Sequence, residues 1–115
     1  MALDLFKTVD IIELMENHLE KIRPPEAIRP KLDLGYIIEN QSIMLTEIRP
    51  VFRSPSQYAE YPYAKATWVK STGKWKVYWM RGNLKWYPYD PKPEVKSLPE
   101  FLKLVDQDKY HCFKG

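Results

Sequence analysis

The sequence predicts an α+β fold, an antiparallel sheet of about five strands with an N-terminal and a C-terminal helix packed on one face. Three features carry that expectation. An amphipathic run opens the chain and stops at Pro24-Pro25. Short stretches rich in β-branched and aromatic residues follow, joined by turn-forming pairs. A capping signature, Ser97-Leu98-Pro99-Glu100, then introduces a second apolar run.

Residues 5–22 (LFKTVDIIELMENHLEKI) set Ile11, Met15 and Ile22 on one helical side with His18 among them, and Leu14 and Leu19 widen the stripe. Asp4 is the expected N-cap, acids lie towards the start, and Lys21 and Arg23 sit where the helix dipole favours cations. His18 reads as a helix-face residue, since no partner motif accompanies it. Two strands, 32–39 and 42–49, flank Asn40-Gln41, a hairpin-length loop whose asparagine tolerates positive φ. Gly35 marks a bulge or a close backbone approach. Ile43, Leu45, Glu47 and Arg49 share one face and Met44, Thr46 and Ile48 the other, with Pro50 expected to end the strand. Residues 51–62 (VFRSPSQYAEYP) read as a connecting loop. A three-stranded meander comes next. Its turns are Ser71-Thr72-Gly73-Lys74 and Gly82-Asn83, and Trp75, Val77 and Trp79 look core-facing. Residues 90–96 form a proline-stiffened linker, and the last helix runs from Leu98 to about Val105, burying Leu98, Phe101, Leu102 and Val105.

A length of 115 residues suits one domain, 1–115, and needs no staples. The single cysteine, Cys112, excludes an internal disulfide framework and suits a reducing compartment. No apolar run approaches the roughly 20 residues that span a bilayer, and the first ten residues lack a signal-peptide pattern. A cytoplasmic location without membrane association is the expectation. Charge is unevenly spread. Tyr61–Tyr89 holds six Lys or Arg, no acid, nine of the sixteen aromatics and all four tryptophans, whereas the rest of the chain is slightly acidic. A basic block of this kind attracts polyanions, or forms a solvated sheet face.

Together, LTEIRPVF, then YAKATWVKSTGKWKVYWMRGNLKWYPYDPKP, then SLPEFLKLVDQDKYHCFKG resemble the bacterial family named domain of unknown function 3024. The most specific pieces are Leu45–Pro50, Ala64-Lys65, Trp75–Trp79, Lys85-Trp86 and the terminal Cys112-Phe113-Lys114-Gly115. The resemblance implies a histidine after Lys85-Trp86, where this chain has Tyr87. The resemblance implies a small cytoplasmic domain and brings no catalytic residues with it.

Three function classes follow from the residues. The first is a non-catalytic module for nucleic acid. Cations track phosphates and aromatic rings stack bases in such proteins, and here Lys65, Trp68, Lys76, Trp79, Arg81, Lys85 and Trp86 are interleaved. Set against it, the tryptophans are large side chains that a small domain needs inside. The second class is a protein-interaction or self-associating domain. The third is a nuclease-like enzyme with a pocket of Glu47 as base and Arg49 and Lys65 holding phosphate. Asp33 and Glu47-Ile48-Arg49 would serve as its motif, with arginine in the lysine position, where it cannot lose a proton. His111-Cys112 is the one adjacent soft-ligand pair and falls short of a zinc set. No cofactor loop, metal box or catalytic motif stands out, and no cofactor is expected.

Overall fold

A computed structural model of the chain describes residues 5–113. Its order is α1 (Leu5–Ile22), β1 (Asp33–Glu39), β2 (Ser42–Val51), β3 (Ser54–Val69), β4 (Lys74–Met80), β5 (Trp86–Pro88), β6 (Glu94–Val95) and α2 (Leu98–Gln107). The strands form one antiparallel sheet in sequence order β1 to β5, and β6 also pairs with β4. The α+β expectation is met, with a sixth strand added.

In α1, Ile11, Met15 and Leu19 recur every four residues, and all three are buried. Asp4, the expected cap, lies outside the described residues, as do Lys114 and Gly115. The first turn of α1 carries no acid, contrary to expectation, whereas Lys21 does occupy the last turn. Beyond the helix, Arg23 grips Asp33 with two hydrogen bonds, Nε to Oδ1 at 2.8 Å and Nη2 to Oδ2 at 2.6 Å. This two-pronged contact ties the end of α1 to the start of β1.

Asn40 turns the first hairpin at φ 54°, a value its short side chain tolerates. Gly35 stands opposite Thr46. A Cβ there would meet Thr46 Oγ1 at 3.1 Å, Ile48 Cδ1 at 3.2 Å and Glu60 Oε2 at 3.4 Å. Close approach, rather than a bulge, explains this glycine. The space it leaves lets the buried Thr46 hydroxyl donate to Glu60 at 2.7 Å.

Residues 51–62 are not a loop. β2 continues through Pro50, which faces Tyr58, and only two residues separate the end of β2 from the start of β3. Prolines are tolerated because the ladder is one-sided here. β1 covers β2 only as far as Ile48, and β4 covers β3 only from Ala64 onward. Pro50, Pro55 and Pro62 therefore lie where a neighbouring strand is missing. The register then slips, with Leu45 facing Ala64 but Thr46 facing Pro62. Tyr63 is the extra residue of a β-bulge. Tyr63 and Ala64 are consequently buried in succession, and the alternation restarts at Lys65.

Residues 90–96 are also more than a linker, since Glu94-Val95 pairs with Lys76 and Trp75. The turn after β4 includes Leu84 at φ 62°, so β5 shortens to three residues. Ser97 caps α2 by accepting from the Glu100 N–H at 3.4 Å. The Glu100 carboxylate lies 3.6 Å from Lys92 rather than closing the box on Ser97. At the far end Asp108 adopts φ 39°, and its carboxylate accepts from the Phe113 N–H at 3.0 Å, fastening the tail.

The core joins one sheet face to both helices. Ile43, Leu45, Ala64, Ala66, Trp75, Val77 and Val95 pack with Ile11 and Met15 of α1 and with Leu98, Phe101, Leu102 and Val105 of α2. Tyr89 and Phe113 close one end, with ring centroids 4.7 Å apart. Among the described residues, no helix lies on the other sheet face.

Candidate functional site

The strand register assigns side chains to the two faces. On the open face, one row runs Glu39, Ser42, Thr67, Lys76, Glu94, and the next runs Ile37, Met44, Lys65, Tyr78, Pro88. Met80 and Trp86 begin a third row. Lys65 is the centre of this surface. Its Nζ lies 4.9 Å from the ring centroid of Tyr78 and 4.9 Å from that of Trp86. Burial pushes the Lys65 ammonium below the usual lysine range, and the charge of Glu39 partly opposes that. Beside it, Ser42 Oγ and Thr67 Oγ1 share a hydrogen bond of 2.7 Å. Lys74 and Lys76 are exposed on the same face of β4.

This face is divided by charge. Lysines 65, 74 and 76 cluster over β3 and β4, whereas Asp33, Glu39 and Glu60 lie towards β1 and the far end of β3. Asp33 and Glu60 are already engaged, by Arg23 and Thr46. A cationic, aromatic-flanked track therefore lies on the β3–β4–β5 side, with Glu94 beside Lys76 and Glu39 acting on Lys65 as its nearest acids.

The whole described chain, and little beyond it, matches a family model, described as a domain of unknown function (DUF3024), over residues 3–115. The chain belongs to this family. No curated protein and no solved structure matches it. Within this member of DUF3024 the sequence-specific pieces fall at structurally distinct places: Ala64-Lys65 follows the bulge, Trp75–Trp79 crosses the sheet centre, and Lys85-Trp86 enters β5.

The residues singled out from the sequence do not form one site. Trp86, Lys65 and Lys76 share the open face. Trp68 and Trp79 lie on the helix side. Trp68 packs against the buried Trp75 at 5.2 Å with planes tilted by 54°, and Lys7 Nζ of α1 sits 3.3 Å over its ring. Trp79 is partly buried against the core, and the Arg81 guanidinium covers it at 5.3 Å and Tyr87 at 4.7 Å. Lys85 is exposed in the turn before β5, where its N–H donates to Asn83 Oδ1. Three of the four tryptophans thus serve the core and its margin. Of the four, Trp86 lies on the open face.

The Glu47, Arg49 and Lys65 pocket is not formed. Glu47 and Arg49 bond to each other at 2.8 Å on the helix side of β2, whereas Lys65 pairs with Met44 on the opposite face. The nuclease-like arrangement fails for the same reason. Asp33 faces Ile48 across the ladder, so it and Glu47 point to opposite sides of the sheet. No group of three or more His, Cys, Asp or Glu suited to a metal ion occurs among the described residues. No helix among them is long and apolar enough to cross a membrane. His18 approaches Asp106 at 3.8 Å in a groove of about 460 Å³ between α1 and α2.

Sequence reasoning missed Tyr78, Thr67 and Glu94. The signal for Tyr78 was present. It alternates with Trp75, Val77 and Trp79, so placing those three in the core puts Lys76, Tyr78 and Met80 on the open face.

Proposed function

We propose that this chain binds single-stranded nucleic acid through the open face of its sheet, and that it does so without catalysis. The observation that carries the reading is Lys65 held between Tyr78 and Trp86, with Lys74 and Lys76 alongside, on a face that no helix covers. Stacking needs accessible rings and phosphate contact needs nearby cations, and here the partly exposed Tyr78 and Trp86 flank Lys65. A single strand suits this surface better than a duplex. Its bases are free to stack, whereas a double helix presents groove edges and phosphates to a protein.

The test is fluorescence anisotropy with short labelled RNA and DNA oligonucleotides at low salt. Base stacking contributes about 1–3 kcal/mol per base, so Trp86→Ala and Tyr78→Ala are each expected to weaken binding about fivefold or more. Glu47→Gln, on the other face, should leave affinity unchanged. Equal affinity in wild type and both aromatic variants would refute the reading.

One observation favours a second reading, a protein-interaction surface. The β2–β3 hairpin extends past its neighbouring strands and exposes Phe52 at 94%, with Tyr58 and Tyr61 about half exposed. Together with Glu47, Arg49 and Pro50, Phe52 and Tyr61 line a shallow recess of about 300 Å³. Concentration-dependent sedimentation that Phe52→Ser abolishes would support this reading.

A further inference from the structure

We infer that the recess between β5 and β6 is a single-base pocket that selects guanine from a bound strand; the inference rests on the single-strand reading above. The recess arises because two short strands share one neighbour. β5 takes Tyr78–Met80 of β4 and β6 takes Trp75-Lys76, leaving a gap at Val77. The backbone stays bonded across this gap. Val77 N–H donates to the Pro93 carbonyl at 2.9 Å, and Tyr89 N–H donates to the Val77 carbonyl at 2.9 Å. The hollow is about 250 Å³ and is lined by Lys76, Val77, Tyr78, Pro88, Pro93 and Glu94. Pockets for drug-sized ligands span roughly 300–1,000 Å³, so this one suits a single flat ring system.

Its lining has a definite chemistry. Pro88, Pro93 and the Tyr78 ring supply apolar surface for a base plane. The two charged groups are Glu94, which only accepts hydrogen bonds when ionised, and Lys76, which only donates. They are cross-strand partners, yet neither makes an ion pair among the described residues. A ligand that satisfies both must offer adjacent donors beside an acceptor. Guanine does so on its Watson–Crick edge, with N1–H and the 2-amino group facing a carboxylate and O6 facing an ammonium. Adenine, cytosine and uracil have no two neighbouring donors on that edge. The edge is free only in an unpaired strand, which agrees with an open-face binder. Tyr78 then serves two purposes, since its ring borders the pocket and also flanks Lys65.

The experiment compares a heptamer of uridines with the same heptamer carrying one central guanosine, inosine or adenosine. A bidentate base contact is worth about a factor of five or more in discrimination. The guanosine oligomer is therefore expected to bind at least about fivefold tighter than the uridine heptamer. Inosine, lacking the 2-amino group, should lose most of that gain, and adenosine all of it. In Glu94→Gln the ratio of guanosine to uridine oligomer affinity should collapse towards one. If all four oligomers bind equally, or if Glu94→Gln keeps the preference, the pocket assignment is wrong and the open-face reading survives. If none binds at low salt, both are wrong.

Discussion

Lys65 illustrates how one side chain can be held by opposed terms. Two aromatic faces at 4.9 Å attract the ammonium, each by about 0.5–1 kcal/mol at partly exposed sites. Partial burial disfavours the same charge, so the structural gain is small and the charge remains available to a ligand. Asp33 is the contrasting case. The Arg23 hydrogen bond, chiefly, holds its carboxyl below the usual range, helped by the Leu34 N–H and the charges of Arg23 and Arg29, against burial. A carboxylate with a lowered folded pKa stabilises fully above its unfolded value, about 3.9, and loses that contribution as pH falls through the folded value. The urea stability difference between wild type and Asp33→Asn should thus be constant above about pH 5 and shrink towards about pH 3. A difference independent of pH would show that the ion pair does not stabilise the fold. Neither role was legible in the sequence. The charge and aromatic content around Lys65 was visible, but its ring partners depend on register, and Arg23 meets Asp33 across a turn of ten residues.

At the scale of elements, local signals succeeded where chain chemistry dictates conformation. Pro24-Pro25 after α1, Asn40 and Gly73 in the turns, and Ser97 before α2 all act where they were expected. The failure at 51–62 has a physical cause. Its prolines and serines match a loop by composition, yet proline is compatible with a strand wherever no neighbour requires its missing N–H. The bulge at Tyr63 was likewise hidden, and it determines which residues of β3 reach the open face. Gly35 was correctly marked as unusual. Gly35→Ala should destabilise by about 1–3 kcal/mol in chemical denaturation, because the new methyl group crowds the buried Thr46 hydroxyl and Ile48. Reduced unfolded-state entropy would offset some of this, by about 0.4–1 kcal/mol. A neutral or stabilising outcome would mean that the Thr46–Glu60 bond can shift without loss.

For the whole molecule, the two sheet faces divide the work. One is joined to both helices and takes Trp75 entirely, with Trp68 and Trp79 at its margin. The other keeps Trp86, Tyr78 and a cluster of lysines in reach of solvent. Composition alone could not apportion the aromatics, since four tryptophans within 19 residues fit a core and a platform equally well. Alternation within the meander separated them correctly only once a core face was known, and the absent helix is a tertiary fact. The candidate pocket built on Glu47 failed at this scale, because sequence proximity and charge say nothing about which side of a sheet a residue occupies.

The most direct measurement of the central claim is the salt dependence of binding to a short oligouridine, which carries no guanine to engage Lys76. Phosphate contacts from Lys65, Lys74 and Lys76 release counterions, so log K should fall with log salt with a slope of about −2 for three contacts. Lys74→Gln with Lys76→Gln should make that slope shallower by about 1.4. Binding that is absent at low salt, or whose slope is unchanged in the double variant, would contradict the open face as a nucleic-acid surface.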